Sequence, residues 1–167
     1  MALPRPKAHR DRQLRRLTEG NALAFTVRFR KVDPGAPTPE YAHEGDAGCD
    51  LSSALDIVLH PGERALVPTG IAVSIPEGYA GFVQPRSGLA SRHGISIVNT
   101  PGLIDSHYRG EIKVILVNLD PRSSFEVHRG DKLCQLVFQK VERADFEQVD
   151  ELDSTTRGEG GFGSTGV

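Results

Sequence analysis

Residues 95–119 read ISIVNTPGLIDSHYRGEIKVILVNL, two apolar runs on either side of a long polar insert. The runs at 95–98 and 112–119 are rich in β-branched side chains and too short for a globular helix, so they predict strands. The Gly- and Pro-bearing insert predicts a hairpin tip, yet one far longer than the two-residue Asn-Gly turn that closes a plain hairpin. Such a tip suits a pocket. Asn99 offers a planar amide for a base edge, Asp105 a carboxylate for proton abstraction and Tyr108 a ring for stacking, with Arg109 and Glu111 beside them. A decorated surface loop is the competing reading.

Working outward, the same strand pattern recurs on both sides. Leu23, Phe25, Val27 and Phe29 alternate with Ala24, Thr26, Arg28 and Arg30, the period of a half-buried strand, so the folded domain is expected to start there. Further strand-like runs lie at 55–59, 65–67, 71–75, 81–83, 125–127 and 133–141. Pro61-Gly62, Pro68 and Pro76-Glu77-Gly78 separate the earlier ones. The helical candidate is 87–93, with Ser87 placed to cap its start and Gly94 to end it. Many short strands and one short helix predict an all-β fold, a distorted jelly-roll-like β-barrel over residues 22–150. A basic extension at 1–21 precedes it and a glycine-rich C-terminal arm at 151–167 follows.

Composition narrows the function. A chain of 167 residues suits one domain with one core. A net charge of −2 with 38% apolar and 25% charged residues indicates neither disorder nor bulk attraction to nucleic acid for the whole chain, so any anion site must be local. No apolar run approaches the roughly 18 residues needed to span a membrane. Cys49 and Cys134 lie far apart, with no apolar leader-like run at the N-terminus, which predicts reduced thiols in a cytoplasmic protein. The basic residues of 1–21 fit a transit peptide, a nucleic-acid arm or a solvated extension, and no function is assigned to them.

Four further patches carry polar chemistry. Asp46 and Asp50 flank a small-residue turn, which ordinary turn chemistry also explains. Arg86, Ser87 and Gly88 open the short helix, where free backbone N–H groups and a guanidinium suit a phosphate as well as a simple capped turn. Gln135 is a polar side chain in an apolar strand, facing either a ligand or solvent. Gly158-x-Gly160-x-x-Gly163 matches the dinucleotide fingerprint by letter, but no helix follows it in this sequence to face a pyrophosphate. P-loop, GxSxG and HExxH patterns do not occur, and the six histidines show no ligand spacing. A metal, if one serves, should be Mg2+ on phosphate oxygens, with a carboxylate such as Asp50 helping through water.

Taken in order, AGCDL (47–51), PRSGLA (85–90), GLIDSHYRGEI (102–112), GDKLCQLV (130–137) and RGEGGFGSTG (157–166) resemble the five motifs of trimeric deoxyuridine triphosphatase. The resemblance runs from about residue 23 to the end of the sequence. It implies a jelly-roll-like homotrimer with shared active sites and Mg2+-dependent conversion of dUTP to dUMP and pyrophosphate. That reaction keeps uracil out of DNA and supplies dUMP for thymidylate synthesis.

By that resemblance Asp105 is the general base for a water attacking the α-phosphorus. Asn99 and the hairpin backbone at Leu103 and Ile104 read uracil, and Tyr108 lies against deoxyribose. Arg86, Ser87 and Gly88 hold phosphates, Gln135 assists, Lys113 is a further contact, and Asp50 touches the Mg2+ shell. The arm becomes a lid: Phe162 stacks on uracil, Arg157, Ser164 and Thr165 clasp phosphates, and glycines such as Gly163 let the backbone approach. The lid is expected to serve another copy of the chain. Leu133-Cys134 departs from the more frequent Ile-Ala of the fourth motif. A dCTP deaminase of the same fold and a nucleotide-sensing module without turnover are the competing readings. The former is disfavoured by the Tyr108–Glu111 tip, and the latter by the presence of Asp105 and the tail.

Overall fold

The structure, a computed structural model, describes residues 25–160. Along the chain run β1 (Arg28–Lys31), β2 (Gly48–Ser52), β3 (Ile57–Leu59), β4 (Arg64–Ser74) and β5 (Tyr79–Pro85). There follow α1 (Ser87–His93), β6 (Ile95–Ile97), β7 (Gly102–Ile104), β8 (Glu111–Asn118), β9 (Phe125–Val127) and β10 (Lys132–Lys140). They form one four-stranded sheet in the order β1-β4-β8-β6, a second in the order β2-β10-β5-β7, and the small pair β3-β9. The strand pairs are antiparallel. Consecutive strands repeatedly change sheet, so the chain wraps one core in the jelly-roll manner.

β8 shows why the sheets close. Ile112, Val114, Leu116 and Asn118 are buried while Glu111, Lys113, Ile115 and Val117 point outward, the alternation that a pleated strand imposes. Ile112 and Leu116 meet Ile71 and Val67 of β4, Leu51 of β2, and Leu133 and Leu136 of β10 in the same core. Each such side chain contributes about 1.5–3 kcal/mol on burial. Asn118 is the polar exception: its Nδ2 donates to Leu59 O (3.0 Å) and Ser123 O (2.9 Å), and its Oδ1 accepts from the Asp120 N–H (2.9 Å). A fully satisfied amide thereby ties the end of β8 to β3 and to the turn beyond it.

Four sequence expectations are corrected. Pro68 does not separate two strands; β4 runs through it because Pro68, opposite Lys113, turns its backbone away from β8 and its carbonyl accepts from Ala54 N–H at 2.8 Å. The missing N–H therefore costs no ladder bond, and the bulge in the β4–β8 register follows between Pro68 and Ala72. At this bulge Gly70 adopts φ +69°, and a Cβ there would lie 2.7 Å from Ala36 Cβ. Ser87 does not cap the helix. It is the first helical residue, Arg86 takes the cap position, and no side chain bonds the free N–H groups there, whereas Gly94 ends the helix at φ 65° as expected. Asp50 lies within β2 and not in a flanking turn. The alternation at the N-terminal edge stops early: Phe25 and Val27 are half-buried, but every residue of β1 is exposed. Phe25 stacks on Tyr79 with ring centroids 4.1 Å apart.

The hairpin tip is the largest finding. β6 and β8 pair as expected, from Ile95 opposite Asn118 to Ile97 opposite Leu116. Between them, however, β7 pairs with β5 of the other sheet, Ile104 opposite Gly81 and Gly102 opposite Val83. Three residues are too few for periodicity to reveal, and their partner is distant in sequence.

Candidate active site

Because β7 belongs to one sheet and β8 to the other, the segment joining them spans the gap and leaves a pocket of about 260 Å3. Asn99, Leu103, Ile104, Asp105, Tyr108, Glu111, Ile112 and Lys113 line it. The turn after β7 is held by local bonds. Tyr108 N–H donates to Asp105 O (3.1 Å), and Arg109 Nη1 donates to Ser106 O (2.6 Å) and Tyr108 O (2.8 Å). Leu103 and Tyr108 expose apolar surface into this region, Asp105 supplies a solvent-accessible carboxylate, and Lys113 Nζ stands 3.9 Å from Glu111 Oε2. An apolar wall with a few convergent polar groups is the composition of a small-molecule site. The six residues expected here from the sequence, Asn99, Leu103, Ile104, Asp105, Tyr108 and Lys113, are brought together.

A second cluster forms on the β2-β10-β5-β7 sheet. Gln135 of β10 sits opposite Asp50 of β2 on one side and Gln84 of β5 on the other, so the three side chains share one face. Asp50 is only 8% exposed. A buried carboxylate is costly unless cations offset it, and two are present: Lys132 Nζ at 2.7 Å from Oδ2 and Arg86 Nε at 3.6 Å from Oδ1. Arg86 Nη1 also donates to Lys132 O at 2.9 Å. Sequence reasoning missed Lys132, although its place at the start of β10 within the fourth motif was a usable signal. Ser87 is exposed and Gly88 half-buried at the head of α1.

Asp50 Oδ1 is buried and has no hydrogen-bond partner among the described residues. No group of three or more His, Cys, Asp and Glu among those residues could hold a metal. A buried carboxylate oxygen that accepts no hydrogen bond fits one water-mediated contact to Mg2+ held mainly by phosphate oxygens, the manner usual for that ion. Burial pushes the thiol of Cys49 up to about 11 and that of Cys134 up to about 12, so neither is a nucleophile at neutral pH.

Arg86, Ser87, Gly88, Gln135 and Asp50 do not line the hairpin pocket of the same chain. In the arm, Arg157 is exposed and its Nε donates to Gly160 O at 2.8 Å, closing a local turn. Phe162, Gly163, Ser164 and Thr165 lie outside the described residues, as does the extension at 1–21.

An antiparallel jelly-roll-like barrel with a pocket of about 260 Å3 on a hairpin and an Asp50–Lys132–Arg86 cluster elsewhere on the barrel defines a class: an all-β protein with a small-molecule site. Comparison with known proteins narrows it. The dUTPase family model matches residues 35–166, and the chain belongs to the dUTPase family. The deoxyuridine 5'-triphosphate nucleotidohydrolase of Thermobifida fusca is 60% identical over 140 residues, 84% of this chain and 78% of that protein. That of Corynebacterium efficiens is 54% identical over 150 residues, 90% of this chain and 83% of the other. Among solved structures, a mutant dUTPase of Staphylococcus bacteriophage 80alpha with dUpNHpp superposes with a TM-score of 0.78 at 32% identity, covering 85% of this chain and 99% of that one. A mutant of the dUTPase from phage phi11 of S. aureus, described with a structural Mg(II) ion, gives 0.72 at 33%, covering 78% and 100%. This chain is an enzyme that hydrolyses dUTP to dUMP.

Proposed function

We propose that hydrolysis is Mg2+-dependent and proceeds by attack of water on the α-phosphorus of dUTP, releasing pyrophosphate. The observation that carries this reading is the hairpin pocket, where Asp105 stands beside Asn99 and Tyr108 in a space of about 260 Å3. Asp105 takes the proton of the attacking water. Asn99 and the backbone at Leu103 and Ile104 bond the uracil edge, and Tyr108 lies against the sugar. A single methyl is worth only about 1–3 kcal/mol in an apolar slot. Rejection of thymine therefore relies on a tip stiffened by strand pairing through β7.

Arg86, Ser87, Gly88, Gln135 and Lys113 bind the triphosphate, and the arm closes over it through Arg157, Phe162, Gly163, Ser164 and Thr165. Mg2+, when bound, neutralises phosphate charge as a Lewis acid. Asp50, whose Oδ1 accepts no hydrogen bond among the described residues, would hold a water of that ion's shell.

The enzyme works as a homotrimer whose sites draw on more than one copy. Support comes from apolar surface exposed among the described residues: Phe146 is 95% exposed beyond β10, Leu152 86% on the arm, and Leu119, just past β8, is 65% exposed in a pocket wall that it shares with Val98. No membrane or stable nucleic-acid partner is assigned. No helix among the described residues is long and apolar enough to cross a membrane. Two free, buried cysteines suit the reducing cytoplasm.

The test is pyrophosphate release from dUTP, UTP, dTTP and dCTP with and without Mg2+. Rapid, Mg2+-dependent turnover of dUTP alone is expected; equal rates on all four would sink the uracil pocket, and ammonia release from dCTP would favour a deaminase. Asp105→Asn, which keeps the shape and removes the base, should abolish turnover while retaining binding of dUpNHpp. An active mutant would refute the assignment of the base.

A further inference from the structure

We propose that Gly110 and Glu111 set the sugar selectivity of the site by locking the Tyr108 ring in place. The inference rests on the reading of Tyr108 as the residue that lies against deoxyribose. Tyr108 is exposed and, among the described residues, lies outside the hydrophobic core. Its hydroxyl instead donates to Glu111 O at 2.9 Å. The Gly110 backbone closes on the ring's edge: a Cβ at residue 110 would lie 2.6 Å from Tyr108 Cζ and 3.0 Å from Cε2. Carbon atoms do not approach so closely, so any side chain at position 110 displaces the ring or the chain that carries it.

Glu111 is itself anchored to the interior. Its Oε1 accepts from Gly70 N–H at 2.8 Å, at the left-handed residue of the β4 bulge. One residue further along β8, Ile112 O accepts from the buried hydroxyl of Thr69 at 2.7 Å. Gly70 cannot drift, because Ala36 and Asp33 close over its Cα. A line of contacts thus runs from the core, through the bulge and the Glu111 carboxylate, to the phenol that faces the sugar.

Rejecting ribose means refusing space to one added hydroxyl group, which a ring able to retreat cannot do. Gly110 removes the obstacle to close seating, and Glu111 removes the slack. Glu111 acts through Tyr108 and is a positioning residue. Its bond to Gly70 also gives the bulge a function that the strand alone does not require.

The experiment is kcat/KM for dUTP and for UTP on Tyr108→Ala, Gly110→Ala, Glu111→Ala and Glu111→Gln, with folding checked by circular dichroism. The first three should raise the UTP-to-dUTP ratio by about tenfold or more. Glu111→Gln still offers an acceptor to Gly70 N–H and should hold the ratio within about twofold of the parent. A merely structural role would slow both substrates alike and leave the ratio unmoved. If Gly110→Ala and Glu111→Ala keep the parental ratio while Tyr108→Ala relaxes it, the inference is overturned and the reading of Tyr108 stands. If Tyr108→Ala also keeps the ratio, that reading fails and takes the inference with it. Should Gly110→Ala not fold, Glu111→Ala decides; should that variant be unfolded too, Glu111→Met, of closer volume, replaces it under the same criteria.

Discussion

Asn118 shows how a single polar side chain can hold two elements together when every one of its hydrogen-bonding groups is used. It is fully buried and bonds Leu59 O, Ser123 O and Asp120 N–H at once. Asn118→Ala would leave those backbone groups without partners and should lower the unfolding free energy by about 2–4 kcal/mol. Urea denaturation measures this, and a loss below about 1 kcal/mol would mean that water replaces the amide. The cysteines give a second residue-scale prediction. Their folded pKa values, about 11 and about 12, lie above the ordinary 9.0, so above pH 9 the unfolded chain releases protons that the folded chain keeps. Stability should therefore fall as pH rises through that window. The slope should flatten in a Cys49→Ala/Cys134→Ala double variant, and an unchanged slope would show that the thiols do not contribute.

At the scale of elements, the long hairpin was legible in part. The β-branched runs flanking residues 99–111 announced β6 and β8, and the surplus of polar residues between them announced a site. The pairing of β7 with β5 was not legible, because three residues carry no periodicity and their partner strand is selected by the closing of the barrel. Pro68 misled for the opposite reason. Its local preference is to break a strand, yet its backbone faces away from β8 at a pair that makes no ladder bond, a position where its missing N–H does no harm. The arm is the element whose removal is most informative. Deleting residues 151–167 should cripple turnover and leave thermal unfolding of the barrel unchanged, since residues 151–159 are exposed. Full activity of the truncated chain would exclude a lid.

For the whole molecule, the question is how two separate clusters serve one substrate. The hairpin pocket and the Asp50–Lys132–Arg86 cluster are both built in a single chain, but the second does not line the first. If copies share sites, mixing the Asp105→Asn chain with the chain lacking residues 151–167 should restore part of the activity that each lacks alone. Assembly would place an intact hairpin from the truncated chain against an intact arm from the other. No recovery after refolding the mixture would mean that each copy completes its own site. Light scattering at three times the chain mass is the matching expectation for the free enzyme, and a monomer would rule out the trimer.

The sequence by itself determined the all-β class, the places of β6, β8, β9 and β10 to within a residue, the helix stop at Gly94 and the residues gathered in the hairpin pocket. Those follow from local properties: alternation, β-branching, glycine's access to positive φ, and polar side chains where a simple turn needs none. Only the tertiary structure decided that Asp50 is buried between Lys132 and Arg86, that the tip is bolted to the second sheet, and that Glu111 reaches the β4 bulge. Each of these joins residues distant in sequence through strand pairing, or through charges that meet only once the core has closed, and no local pattern encodes such a meeting.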